Sequence, residues 1–103
     1  MKTKAMLIKS GTYNNVVVAD NRKIKTVNGS YSASRGIKEE GGTFIISCGG
    51  GGTPGYTSSF AGTSCGLTVT AFLSGNKVLL KVAADSSDVI TTKFKCELQS
   101  ISI

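Results

Sequence analysis

Histidine is absent from this chain, and that absence removes the commonest general base and the commonest metal ligand together. Tryptophan is absent too, and aromatics make up only 7% of residues, so any core must be built from Val, Ile, Leu and a few Phe. There is one proline against 13 glycines. No apolar run approaches the length of a transmembrane helix. The apolar stretch Ala5–Ile8 is too short for the central region of a signal peptide. The three cysteines, Cys48, Cys65 and Cys96, lack the paired C-x-x-C spacing of a zinc site. They admit one disulfide with a thiol left over in an oxidising compartment, or three reduced thiols; the second is the simpler reading. If the chain is a whole protein, these features place it in the cytosol.

Charge is missing from one region altogether. Residues 41–76 carry no Lys, Arg, Asp or Glu. The net charge of +6 comes largely from the first forty residues, where Lys2, Lys4, Lys9, Arg22, Lys23, Lys25, Arg35 and Lys38 face only Asp20, Glu39 and Glu40. A long uncharged stretch rich in Gly, Ser and Thr suits a segment packed on another surface, lining a pore or lying in a subunit interface; it also suits a wet, flexible loop. The basic first part suits an anionic partner such as nucleic acid. Lysines on edge strands also serve simply to keep sheets apart.

What remains points to strands. At 103 residues, 40% of them hydrophobic, the chain predicts one folded domain, residues 1–103, with a thin core. Lys4–Ile8 and Tyr13–Ala19 read as strands from their β-branched content, with a turn at Asp20-Asn21. Arg22–Val27 then pairs with Tyr13–Ala19 as a hairpin. Asn28-Gly29 signals a type I′ turn that folds Ser30–Ser34 back onto Arg22–Val27. Gly36–Gly42 reads as a polar loop with Glu39-Glu40 at its tip. Thr43–Cys48 reads as a buried strand containing Phe44, Ile45 and Ile46. Gly49–Gly52 and Thr53-Pro54-Gly55 read as loop and turn.

The last third alternates most regularly. Cys65–Leu73 places Leu67, Val69, Ala71 and Leu73 on one face; Lys77–Ala84 does the same with Val78, Leu80, Val82 and Ala84. Turns fall at Ser74-Gly75-Asn76 and Asp85–Asp88. Val89–Leu98 puts Ile90, Phe94, Cys96 and Leu98 together. Ile101 and Ile103 fall on the opposite parity, which predicts a β-bulge near Gln99-Ser100. No ordinary helix is expected; residues 32–40 could hold one turn. The fold class is all-β: a single antiparallel sandwich or small barrel of about seven to eight short strands.

Catalytic patterns are weak throughout. Nucleophilic catalysis needs a base beside the nucleophile, and no histidine supplies one. A Ser–Lys pair using Lys77, Lys81 or Lys93 has no supporting spacing. The carboxylates Asp85/Asp88 and Glu39/Glu40 sit where turns place Asp and Glu anyway. The Gly49–Gly52 run lacks the following Lys and helix of a phosphate loop. The chain is therefore read as a non-enzyme without cofactor, metal or evident small-molecule substrate. A stacking-and-charge surface for single-stranded nucleic acid could combine Tyr13, Arg22, Lys23, Lys25, Tyr31 and Arg35 on the first hairpin. The two tyrosines fit a core-edge role equally well.

Three segments, in order, resemble the core of secretins, the outer-membrane ring channels of secretion and type IV pilus systems. They are Val16–Ile24 continuing through Val27-Asn28-Gly29; then Thr53-Pro54-Gly55, Gly66–Thr70, Gly75–Leu80 and Ser87-Asp88; then Phe94 to Gln99-Ser100-Ile101. The resemblance implies strands around a channel gate, and a core this small closes a channel only when many copies assemble. Two functions are expected from these readings. One is a self-associating structural β-subunit, secretin-like or coat-like, that forms homo-oligomers through the uncharged 41–76 stretch and its edge strands. The alternative is a small single-stranded nucleic-acid-binding β-barrel of phage or plasmid type, using the basic N-terminal hairpin.

Overall fold

The computed structural model describes residues 2–48 and 54–102. The glycine run Gly49–Gly52, Thr53 and Ile103, each of which carries an expectation above, lie outside the described residues. Eight strands are described: β1 (Lys2–Ile8), β2 (Tyr13–Asp20), β3 (Ile24–Arg35), β4 (Lys38–Ser47), β5 (Gly55–Gly62), β6 (Leu67–Ser74), β7 (Lys77–Ala84) and β8 (Thr92–Ser102). They form two antiparallel sheets, ordered β1-β8-β3-β4-β5 and β2-β7-β6. Among the described residues no strand pairing joins the sheets, so the all-β expectation resolves as a sandwich. No helix among them is long and apolar enough to cross a membrane.

The core is the inward face of each sheet. Val78, Leu80, Val82 and Ala84 on β7 meet Val27 and Ala33 on β3, Phe44 and Ile46 on β4, and Phe94, Cys96 and Leu98 on β8. The alternation expected for residues 65–84 holds: β7 is buried at every second residue, and Leu67, Val69, Ala71 and Leu73 on β6 pack against the same core. The two-residue turn Gly75-Asn76 sits where expected, with positive φ at Gly75 only, as a II′ turn requires.

The first half corrects several expectations. Asn28-Gly29 is not a turn; β3 runs straight through it for 12 residues. Neither residue takes positive φ. Gly29 is needed for space instead. It pairs directly with Phe44, and a Cβ added to it would lie 2.1–2.7 Å from three atoms of the Phe44 ring. The chain reverses at Gly36-Ile37, where Gly36 supplies the positive φ and Ile37 projects fully into solvent. Ser30–Ser34 therefore pairs with β4 and β8, not with Arg22–Val27. Residues 38–42 continue as strand, so Glu39 and Glu40 lie within β4 and not at a loop tip.

The expected hairpin of Tyr13–Ala19 with Arg22–Val27 does not form either. The turn after Asp20 carries the chain between sheets, and β2 pairs with β7. Here Val18 is a bulge residue between Val17 and Ala19, which lets Val18 and Ala19 both point inward. Ile45, expected inside, faces solvent and is 53% exposed. β8 begins at Thr92, leaving Val89 and Ile90 exposed before it. The bulge expected near Gln99-Ser100 lies on the neighbouring strand: β8 keeps its alternation, Ile101 points outward, and β3 shifts register between Ile24 and Thr26. β5 has no counterpart among the expected strands. Its polar residues show too little alternation, and it gains strand geometry by pairing with β4 from Glu40 to Ser47.

The Gly29–Phe44 contact gives a direct test. Gly29→Ala should cost about 1–3 kcal/mol through overpacking, measured by urea denaturation. Combining it with Phe44→Leu should cost less than the sum of the single changes. Additive losses would show that the ring does not need the space at Gly29.

Candidate functional site

The sequence singled out six side chains for a common surface, and the structure scatters them. Tyr13 opens β2, with the Lys81 ammonium 4.3 Å from its ring centre. Asp20 ends the same strand, so Arg22 lies at the opposite end of the molecule from Tyr13. Arg22 folds back on Asp20, with Nε 3.0 Å from Oδ1 and a terminal nitrogen 2.7 Å from Oδ2. Lys23 and Lys25 are exposed beside it. Tyr31 faces inward, stacks on Phe94 at 5.5 Å between ring centres, and donates to Glu40 at 2.8 Å. Burial and that carboxylate push its phenol well above the ordinary range.

Arg35 is the largest departure from a surface role. Its side chain is 1% exposed. Nε donates to the Ile90 carbonyl at 3.0 Å and also faces Asp88 Oδ1 at 3.0 Å. One terminal nitrogen donates to the Cys65 carbonyl at 3.1 Å and to Asp85 Oδ1 at 2.7 Å. The other donates to the carbonyls of Asp85 and Asp88. Every guanidinium nitrogen is committed to the protein, so none is left for a nucleic acid. Its placement follows from strand parity: Val27, Ala33 and Arg35 share the inward face of β3, and the loops opposite offer carbonyls where an apolar wall would otherwise stand. Gly66 makes this possible, since a Cβ there would occupy the position of the Asp85 carboxylate.

Beside it, buried Glu40 accepts from the Cys65 backbone N–H at 2.7 Å as well as from Tyr31. The three cysteines are free and buried, and burial raises each thiol. That is the opposite of the environment that activates a nucleophilic thiolate. This polar group orders the loops around it.

The surface is divided by charge. β1 and β2 lie together along one side of the sandwich, and β5 and β6 along the other. The β1/β2 side carries Lys2, Lys4, Lys23 and Lys77 around its grooves. The β5/β6 side carries no charge in either strand. Among the described residues β5 pairs only with β4, in unbroken register from Glu40↔Gly62 to Ser47↔Gly55, and none of them pairs with its outer edge. Tyr56, Ser58 and Phe60 share its inward side, yet Phe60 is 57% exposed because the smaller sheet does not reach over it. The sequence signal for this site was the uncharged stretch; the strand that carries it was not legible. Compared with known proteins, the chain matches no protein-family model and no curated protein sequence.

The Arg35 group predicts a pH dependence. The Asp85 carboxyl is pulled down to about 2, first by the Ser87 hydroxyl and then by Arg35. A lowered carboxyl stabilises the fold above its unfolded pKa and loses that contribution as pH falls through the folded value. Asp85→Asn should therefore lower the urea midpoint by a constant amount at neutral pH. Its deficit should shrink as pH falls from about 4 to about 2. A deficit independent of pH would remove the charge of Asp85 from the account. Arg35→Ala should be far more damaging, about 3–5 kcal/mol, because it strands buried carbonyls.

Proposed function

We propose that this protein is a structural subunit that assembles with copies of itself through the neutral β5/β6 side. The observation that carries the reading is the β5 edge. Edge strands in soluble β proteins are ordinarily guarded by charge, proline or a bulge within the strand. β1, at the far edge of the same sheet, has Lys2 and Lys4; β5 has eight residues, no charge, no proline and no register break. A second copy of β5, antiparallel to the first, supplies hydrogen-bond partners for the open edge. With Ser58 on the two-fold axis, the exposed Phe60 of one copy stands opposite Tyr56 of the other, which packs at the rim of its own core. That cross-strand aromatic pair favours this register. The interface is isologous, as in most homo-oligomers. It keeps the class of function that the secretin resemblance implies, a body made of many copies, and the neutral β6 edge beside it offers a second contact for growth beyond a pair.

Light scattering coupled to size exclusion, across a wide concentration range, tests this. The wild-type chain should be dimeric or larger. Thr57→Lys with Ser59→Lys restores the missing guard on solvent-facing positions of β5, and should give a monomer with an unchanged circular dichroism spectrum. A wild-type protein that stays monomeric at every concentration, or a lysine variant that assembles as before, sinks the proposal.

A further inference from the structure

The opposite side of the sandwich carries a second feature, independent of the β5 edge. Two open grooves run between β1 and β2, of about 360 Å³ and about 310 Å³, with Val17 as a shared wall. Lys4 lines the first; Lys2, Lys23 and Lys77 line the second. Lys2 and Lys4 are two residues apart on one strand, so they point to the same side about 6.6 Å apart. The one acid lining either groove is Asp20, and Arg22 already occupies both of its oxygens. None of the four lysines makes an ion pair among the described residues. Asn14 spends its amide holding β1 to β2 through the Leu7 carbonyl at 3.0 Å. That bond fixes one wall of the seam. The remaining walls are mostly apolar, from Val16 to Ala19 and at Ile24, with Asn15 and Ser100 as neutral polar members.

We infer that this seam binds the phosphodiester backbone of a nucleic-acid strand. Lys2, Lys23 and Lys77 gather at one groove from β1, the β2–β3 turn and the start of β7, and Lys4 carries the charge on along β1 to the next groove. A cationic track that runs on past its first cluster suits a polymer of phosphates better than a single phosphate group. They lie in grooves between two sheets, which suits a strand better than the flat surface of a bilayer. No aromatic ring lines either groove among the described residues, so contact is with phosphates and independent of sequence. Of the residues that the sequence suggested for nucleic acid, only Lys23 lines this seam; Lys2, Lys4 and Lys77 come from strands that the topology brings to it.

The test is fluorescence anisotropy of a labelled oligothymidylate with the full chain at rising salt. Four phosphate contacts predict a log–log salt slope near −3, a loss of about 50-fold between about 50 and 200 mM salt. Lys23→Gln with Lys77→Gln should weaken binding at least about tenfold at low salt and roughly halve the slope. Lys93→Gln with Lys95→Gln removes the same charge from the outer face of the larger sheet, and should stay within about twofold of wild type. Equal losses from both pairs would reduce the effect to net charge and overturn the site. Absence of binding at low salt, or retention on phosphatidylserine vesicles without oligonucleotide binding, would overturn the ligand.

Discussion

The buried guanidinium of Arg35 holds together the places where the chain passes between sheets. There are four such crossings, and three of them meet around it. The β5–β6 crossing is held at the Cys65 carbonyl, and the β7–β8 crossing at Asp85, Asp88 and Ile90. The β1–β2 crossing joins indirectly, since the Gly11 N–H and the Ser10 hydroxyl both bond to the Asp85 carbonyl. A hydrophobic side chain at this position would fill the volume but leave several carbonyls without donors. The planar donor array of arginine suits a ring of carbonyls and carboxylates that a lysine could not span. The order of strands in both sheets, and hence which edges lie side by side, depends on these crossings being fixed.

The legibility of this fold tracked how local the decisive forces were. β6 and β7 were readable because strict alternation and a short glycine turn are local signals, and both act within one hairpin. Asn28-Gly29 misled because the dipeptide has two uses. It permits positive φ, and its glycine also removes a Cβ where another strand's aromatic ring must lie. Only the distant residue Phe44 decides between them. The same holds for Arg35, whose charge reads as surface until its strand parity and the loops across from it are known. β5 was invisible because Gly-Tyr-Thr-Ser-Ser-Phe-Ala-Gly becomes a strand only by pairing with β4.

Charge, by contrast, was legible in amount and in uneven distribution, but not in position. The sequence separates a basic first part from a neutral middle, and the fold converts that separation into two opposite sides of one sandwich. Part of the apparent basic patch disappears in the process. Arg35 is consumed inside and Arg22 is neutralised by Asp20, while Lys77 arrives from the third quarter of the chain to join Lys2 and Lys23. The cationic surface that results is a seam between sheets, and not the face of a hairpin.

This arrangement bears on how a protein of net charge +6 could assemble at all. Like-charged copies repel, and the repulsion is worst where cations face one another. Joining copies through β5 makes one sheet of ten strands, with β1 of each copy at an outer margin. At about 4.8 Å per strand the two cationic margins lie roughly 43 Å apart, several Debye lengths at physiological salt, so their mutual repulsion is almost fully screened. Joining copies through β1 would bring Lys2 and Lys4 of both copies into one interface. The lysines thus act against one mode of association while leaving the other open, and the cations kept out of the interface remain exposed along both margins to meet a polyanion.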